Sequence, residues 1–429
     1  MKLLKILSRG TLAIAAACYF SCAASDWPQY RGPNHNGIST ETMPTWPKGG
    51  LRPLWKAPTP NGFSSFVVAD GRAFTLISKD VEGAPREVLL ALDSDTGKEL
   101  WSVPVGIAKY DNGGDSGTRD NSGGDGPRST PAIDGNRVYV ISGDLVLSTF
   151  DVANGKKIWS KDIVREFNGH NISWKNAASP LIDGDLIFLA GGGEGQALLG
   201  IHKTDGKVAW KTESDKMTHA SPILATILGV KQVIFFTQKG LVALKPDSGE
   251  LLWRHPFRFN VSTAASPVVE NDIIYCSAGY GVGSTAIQLS RNGENFAAKE
   301  LWRVTGDKIA NHWSTPVVKD GYLYGMFQFK QYGDGPVKCI DLKTGKEQWS
   351  QPGFGPGNLI LVDGKLVALS DRGELILIDP SPEKYQELAR FQAITGKCWS
   401  TPAFSNGRIY VRSTREGGAF DTSTKLSRN

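Results

Sequence analysis

Five times in this 429-residue chain a glycine is followed four residues later by a tryptophan: Gly97/Trp101, Gly155/Trp159, Gly206/Trp210, Gly249/Trp253 and Gly345/Trp349. Each pair sits in nearly the same phrase; ALDSDTGKELW recurs as FDVANGKKIW, IHKTDGKVAW, LKPDSGELLW and IDLKTGKEQW. A phrase repeated in this way is one supersecondary unit used many times, which restricts the chain to repeat architectures. Within it, residues 89–92 are apolar and suit a strand. Residues 93–97 carry turn chemistry, with Asp able to bond its own backbone and Gly able to supply a positive φ. Residues 98–101 begin a returning strand, so every copy is expected to be a β-hairpin. The tryptophan is too large to leave in water in every copy and is expected to pack between neighbouring units.

A second phrase alternates with the first. RSTPAIDGNRVYV (128–140) recurs as ASPLIDGDLIFLA, ASPVVENDIIYCS, STPVVKDGYLYGM and STPAFSNGRIYVR, with degenerate copies from residues 64, 220 and 358. Each reads as strand, turn, strand; the Ser/Thr-Pro opening suits a strand start, where the missing proline N–H does no harm. The proline-equivalent positions are Phe66, Pro131, Pro180, Pro222, Pro267, Pro316, Ile360 and Pro402. The tryptophan strands lie at Trp55, Trp101, Trp159, Trp210, Trp253, Trp302, Trp349 and, degenerately, near Ala389. Eight units of four strands predict an all-β fold, an eight-bladed β-propeller of four-stranded antiparallel blades. The chain enters on a lone tryptophan strand and ends without one. The N-terminal strand 51–57 is therefore expected to close the ring by pairing with the C-terminal strands, which removes an exposed sheet edge.

The expected organisation is a signal peptide (1–24), an N-terminal lasso (25–50), the propeller (51–423) and a tail (424–429). Lys2, Lys5 and Arg9 precede an apolar stretch, as in a secretory leader; Ala15-Ala16-Ala17-Cys18 offers the alternative of a lipid anchor at Cys18. The net charge of +5 includes those three leader residues, which excludes a strongly basic nucleic-acid binder. Export implies an oxidising compartment, yet Cys276, Cys339 and Cys398 would remain as an odd set, and Cys276 and Cys339 read as buried packing residues. In the lasso, Pro and Gly argue against regular structure, while Trp27, Tyr30 and Trp46 argue for packing on the ring. Residues 105–127 read as one long glycine-rich loop with Asp111, Asp115, Asp120 and Asp125; a flexible lid or a disordered loop is expected there, with a calcium loop as the alternative although the spacing does not match an EF-hand.

In a propeller the innermost strand of every blade lines the central channel, so the loops entering those strands converge on one mouth. Immediately before them stand Phe63, Arg128, Trp174 with Lys175 and Asn176, His219, Asn260 with Thr263, His312 with Trp313, Asn358, and Cys398 with Trp399. An apolar funnel with a few convergent polar groups is the default binding site. Its candidate residues are Arg128, Trp174, Lys175, His219, His312, Trp313 and Trp399. The competing reading is that the tryptophans only plug the channel and that Arg128 pairs with Asp125. Two histidines without a third ligand are a poor metal site, and no nucleophile–base set is assignable. GYGVGS (279–284) reads as a hairpin turn.

The phrase LDxxTGKxxW resembles the tryptophan-docking repeat of the pyrroloquinoline-quinone (PQQ)-like propellers. DWPQYRGPNHNGIS, GDGPRSTP and NHWSTPVV resemble the exported members of that family found in Planctomycetes and Verrucomicrobia. The resemblance spans residues 26–421 and implies the eight-bladed fold. It implies two functional directions. Quinoprotein dehydrogenases hold PQQ with calcium in the mouth, with an aspartate base and an adjacent cysteine pair; this chain has no adjacent cysteines. The related outer-membrane assembly lipoprotein propeller is a non-catalytic scaffold. The expectation is a monomeric, exported scaffold that binds an envelope protein or small ligand through the channel mouth; the alternative is a PQQ-dependent oxidoreductase.

Overall fold

The repeated phrases fold into eight four-stranded antiparallel sheets. The computed structural model describes residues 26–44, 46–47, 49–110, 126–259, 263–328 and 335–423. The expected leader with Cys18, most of the loop 105–127 with its four aspartates, Asn260 and the tail 424–429 lie outside the described residues. Blades 1 to 7 follow chain order, their inner strands being Val67–Ala69, Ala132–Asp134, Leu181–Asp183, Ile223–Ile227, Val268–Glu270, Val317–Lys319 and Asn358–Val362. Blade 8 joins both ends of the chain. Its inner strand is Ala403–Ser405, and its outermost strand, Pro53–Pro58, pairs antiparallel with Glu416–Asp421.

In all eight outer strands the register slips by one residue just before the tryptophan position, Ala389 included. A bulge re-aims the next side chain. Here it leaves the preceding apolar residue exposed (Leu54, Leu100, Ile158, Leu388) and turns the indole toward the next blade. The indole then lies on the glycine of that blade's phrase: a Cβ at Gly97 would sit 2.5 Å from Trp55, one at Gly155 2.6 Å from Trp101, and one at Gly249 2.6 Å from Trp210. The indole N–H donates to a turn carbonyl of the same neighbour. Trp55 bonds Ser94 at 2.9 Å, Trp101 bonds Val152 at 3.0 Å, Trp210 bonds Pro246 at 2.7 Å and Trp302 bonds Leu342 at 2.8 Å. Trp253 departs from the rule and bonds Gln232 Oε1 in its own blade, because blade 5 carries the lengthened hairpin 283–304 and its Gly293 meets nothing. Where Ala389 replaces the tryptophan, Phe391 packs edge-on against Trp46 from the N-terminal segment, at 5.8 Å, and against Phe420 of blade 8, at 5.7 Å.

A second interaction links the blades around the channel. The Ser or Thr preceding five of the proline-equivalent positions accepts a backbone N–H from the blade before it, and between blades 4 and 5 Ser266 Oγ instead donates to Ser221 O at 3.0 Å. Thr401 N donates to Ser65 Oγ (2.9 Å), Ser65 N to Thr130 Oγ1 (3.0 Å), Thr130 N to Ser179 Oγ (2.9 Å), Ser179 N to Ser221 Oγ (2.9 Å) and Ser266 N to Thr315 Oγ1 (3.0 Å). The belt breaks at blade 7, where Leu359 stands in the hydroxyl position. There the buried Arg31 guanidinium donates to the Thr315 and Pro316 carbonyls, each at 2.8 Å, and Ile38–Ser39 adds a parallel strand to Leu361–Val362.

Those last contacts correct one expectation: the N-terminal segment does contain a short strand. From Trp27, which exchanges backbone bonds with Val68, the segment crosses the channel end opposite the loop-lined mouth and touches blades 1, 2, 3, 6 and 7. Trp27 and Trp46 are buried. A second correction concerns the loop at 105–127. The outer strand of blade 1 continues to Ile107, pairing with a long hairpin (Arg72–Val81, Ala84–Asp93), because the alternating residues of both strands extend past the phrase. Cys276, Cys339 and Cys398 are buried thiols.

Gly155 and Gly135 separate docking from backbone strain. Both adopt positive φ (71° and 56°), but only a Cβ at Gly155 would meet an indole. Gly135→Ala is expected to cost roughly 1–2 kcal/mol from the left-handed backbone alone. Gly155→Ala is expected to cost about 1–3 kcal/mol more from the displaced Trp101. Denaturant midpoints of the two variants check this, and equal losses would contradict the docking role.

Candidate functional site

The loops entering the inner strands enclose a cavity of about 140 Å³ at one end of the channel. One wall is a ladder of aromatic rings. Phe63 and Trp399 stack at 4.8 Å with 27° between planes, and Trp399 and Trp313 follow at 4.7 Å and 33°. Blades 1, 8 and 6 supply these rings. They meet because blade 7, which lies between the last two, contributes the small turn GPGN (355–358). That turn also holds the ladder: Trp313 Nε1 donates to Pro356 O at 3.1 Å, and Asn358 Nδ2 donates to Trp399 O at 2.7 Å. The Lys397 ammonium lies 4.6 Å from the Trp399 ring centre and 5.8 Å from that of Phe63.

The opposite wall carries Trp174, His219, His312 and Tyr280. His312 meets Trp313 edge-on at 5.0 Å and Tyr280 at 4.6 Å, while Trp174 and His219 lie 6.5 Å apart. Burial holds both imidazoles neutral. The His219 pKa falls to about 3 through desolvation first, then the charges of Arg128 and His312; that of His312 falls to about 4 through desolvation, partly opposed by Asp307. His219 Nε2 lies 2.8 Å from the Lys175 carbonyl, which makes this nitrogen the donor. His312 Nδ1 and Trp399 Nε1 have no hydrogen-bond partner. Orphaned buried polar atoms of this kind cost about 1–3 kcal/mol each.

Arg128 closes the wall between these halves. Its Nη1 donates to Trp174 O at 2.6 Å, and its guanidinium lies 5.1 Å from the Tyr110 ring centre. Tyr110 in turn donates to Glu87 Oε1 at 2.5 Å, and Gly143 N donates to Glu87 Oε2 at 2.8 Å. Glu87 is fully buried. Burial pushes its pKa up, and the bonds from Tyr110 and Gly143 oppose that rise. The Glu87–Tyr110 pair thus fixes the surface on which Arg128 rests.

Of the seven residues expected at the mouth, six line the cavity: Arg128, Trp174, His219, His312, Trp313 and Trp399. Lys175 does not. Trp174 and Lys175 are consecutive left-handed residues (φ 66° and 65°), a turn that sends the indole into the mouth and the lysine away to pair with Asp144. Phe63 also lines the cavity. Asn176, Thr263 and Cys398 are buried structural residues; Asn176 caps its own loop through Ala178, and Thr263 Oγ1 donates to Ser277 O at 2.9 Å. Two aromatic lining residues escaped the sequence reading. Tyr30 comes from the N-terminal segment and forms the floor; Tyr280 comes from the GYGVGS hairpin turn and stands on the rim, 55% exposed. Among the described residues no group of three or more His, Cys, Asp or Glu is placed to hold a metal ion.

A family profile described as Outer membrane protein assembly factor BamB matches residues 85–351 and 333–427. The BamB of Shewanella oneidensis is 23% identical over 317 residues, 70% of this chain and 73% of that protein. The BamB of Escherichia coli is 23% identical over 255 residues, 58% of this chain and 62% of that protein. Among solved structures, BamB from Moraxella catarrhalis is similar with a TM-score of 0.60 at 14% identity, over 88% of this chain and 99% of that one. The quinohemoprotein alcohol dehydrogenase of Comamonas testosteroni is similar with a TM-score of 0.64 at 14% identity, over 93% and 80%. At these identities the solved structures establish a shared fold.

The buried imidazoles generate a pH dependence. Their folded pKa values lie below the unfolded value of about 6.5, so between about pH 4 and 6.5 the unfolded chain binds more protons. Their contribution is complete above pH 6.5 and is lost as the pH falls toward 4. The expected result is that a His219→Gln/His312→Gln double variant loses less stability than the unaltered protein between pH 7 and pH 4.5, measured by urea unfolding. Equal losses would contradict the neutral, buried assignment.

Proposed function

Because the chain belongs to the Outer membrane protein assembly factor BamB family, we propose that it is a non-catalytic scaffold of the bacterial envelope that grips a partner protein at the mouth of its channel. The observation that carries this reading is the cavity itself. It is walled by seven aromatic or imidazole rings on converging loops, and among the described lining residues there is no carboxylate, thiol or metal cluster. The relatives' printed role in outer-membrane protein assembly supports a partner that is a protein. The expected leader at residues 1–24, with Cys18 as an alternative anchor point, supports a periplasmic location, and the closed ring supports a monomer.

The oxidoreductase reading meets a poorer fit. PQQ is a fused tricycle with three carboxylates. Among the described lining residues Arg128 is the one cation. The described donor set therefore does not match PQQ with calcium, and no step of a quinone reaction is assigned to these residues.

Crosslinking from the native envelope tests the proposal. Capture of a specific partner is expected with the unaltered protein and with a control at the opposite channel end, Asn34→Ala. It is expected to fall at least tenfold with Arg128→Gln/Trp313→Leu, the loss of about 1.4 kcal/mol or more of binding energy. Capture unaffected by the mouth variant, or a saturable spectral response to PQQ with calcium, would overturn it.

A further inference from the structure

The channel end away from the mouth holds a second pocket, of about 460 Å³, within the range of roughly 300–1,000 Å³ that ligand sites occupy. Its walls are residues 31–36 of the N-terminal segment and the inner strands of blades 3, 4 and 5. The inner strand of blade 4 sets it apart. Six of the eight inner strands have three residues; those of blades 4 and 7, Ile223–Ile227 and Asn358–Val362, have five. On blade 7 the extra length is used. Ile38–Ser39 lies parallel on its channel edge, Leu361 N donates to Gly37 O at 2.8 Å, and all five residues are buried. On blade 4, Leu224 and Ala225 are half-buried and Thr226 is exposed.

The strand register shows which groups of blade 4 are open. The two-residue turn at Leu228 and Gly229 closes the pair Ile227/Val230, and along an antiparallel ladder bonded pairs alternate with unbonded ones. Ile223 and Ala225 therefore bond within the blade, while Leu224 and Thr226 turn their N–H and C=O groups toward the channel. The same rule holds elsewhere in the ring: the equivalent groups of Val68, Ile133 and Ile182 bond Trp27, Pro28 and Gln29. Among the described residues the N-terminal segment gives Leu224 and Thr226 no such partner, because beyond Gln29 it turns toward blades 6 and 7. The two open residues lie one strand repeat apart, about 7 Å.

We propose that this edge binds an extended segment of a partner polypeptide, added to blade 4 as a fifth strand in the way that Ile38–Ser39 is added to blade 7. Donors and acceptors alternate along the edge at the spacing of a peptide main chain, which is the chemistry of strand addition. Side chains of an added strand project alternately toward the two neighbouring blades. On the side of blade 5 they meet the apolar layer of Ile223, Ala225 and Val269. On the side of blade 3 they meet Lys231, which pairs with Asp183 at 2.6 Å. The recognised segment therefore alternates aliphatic and polar residues. This site is separate from the mouth and does not rest on the scaffold reading. It is held by backbone groups, so the Asn34→Ala control at this end leaves it intact.

Calorimetric titration of the full chain with acetyl-Ser-Val-Thr-Val-Ser-amide tests this. Two analogues, one N-methylated at both valines and the other at the threonine and serines, keep every side chain and lose alternate backbone donors. One of the two is expected to bind about tenfold more weakly than the parent peptide. Thr226→Pro is expected to weaken the parent peptide to a similar degree, since it removes an open N–H. It should leave the urea midpoint in place, because that N–H lies outside the blade's own ladder. Hydrogen exchange locates the peptide: residues 223–227 should exchange more slowly at saturation, and residues 358–362, already covered, should not change. No binding at millimolar peptide, equal affinity for the parent and both analogues, or protection confined to residues outside 223–227 would overturn the proposal. If Thr226→Pro fails to fold, the analogues and the exchange data, both taken on the unaltered chain, still decide the matter.

Discussion

Everything in this fold depends on one repeated contact, a tryptophan of one blade laid on a glycine of the next. The bulge before the tryptophan aims the ring, the glycine leaves room for it, and the indole N–H reaches a turn carbonyl of the neighbouring blade. Each contact spans only two neighbours, so stability accumulates around the ring as a series of nearest-neighbour terms. Such a series needs its ends joined. Trp55 does this, since its strand completes blade 8 and its ring lies on Gly97 of blade 1. The belt of Ser and Thr hydroxyls repeats the same logic at the channel wall.

Because the blades hold one another, the loops that enter the inner strands carry little of the structural burden. They can hold large aromatic residues, two neutral buried imidazoles and two unpartnered polar nitrogens without endangering the ring. The two ends of the channel have consequently diverged. Residues 27–39 cross one end, with Arg31 mending the break in the belt at blade 7, and leave a pocket of about 460 Å³ against blades 3 to 5. The other stays open as an aromatic cavity with Tyr30 as its floor.

The architecture was legible in the chain because it depends on local chemistry that repeats. The Gly–Trp phrase and the Ser/Thr-Pro phrase gave eight blades of four strands, and six of the seven mouth candidates do line one cavity. What escaped depends on contacts between residues remote in sequence or on single backbone angles. The Ser and Thr before each proline read as strand starters, while their hydroxyls in fact bond the preceding blade. Lys175 is adjacent to Trp174, yet two left-handed residues in succession separate their directions. Tyr30 reaches the mouth only because the N-terminal segment crosses the channel, and the strand at Ile38–Ser39 exists only because blade 7 offers it an edge.

The central claim is a division of labour between docking tryptophans, which hold the ring, and mouth tryptophans, which bind. The unfolding midpoints of Trp55→Leu and Trp399→Leu test it most directly. Trp55 is buried with its N–H bonded across the ring closure, so its loss is expected to cost about 3 kcal/mol or more. Trp399 is half-buried with an orphaned N–H, so its loss is expected to change stability by less than about 1 kcal/mol. Equal destabilisation by the two variants would mean that the mouth is part of the scaffold's own core, and would contradict the account.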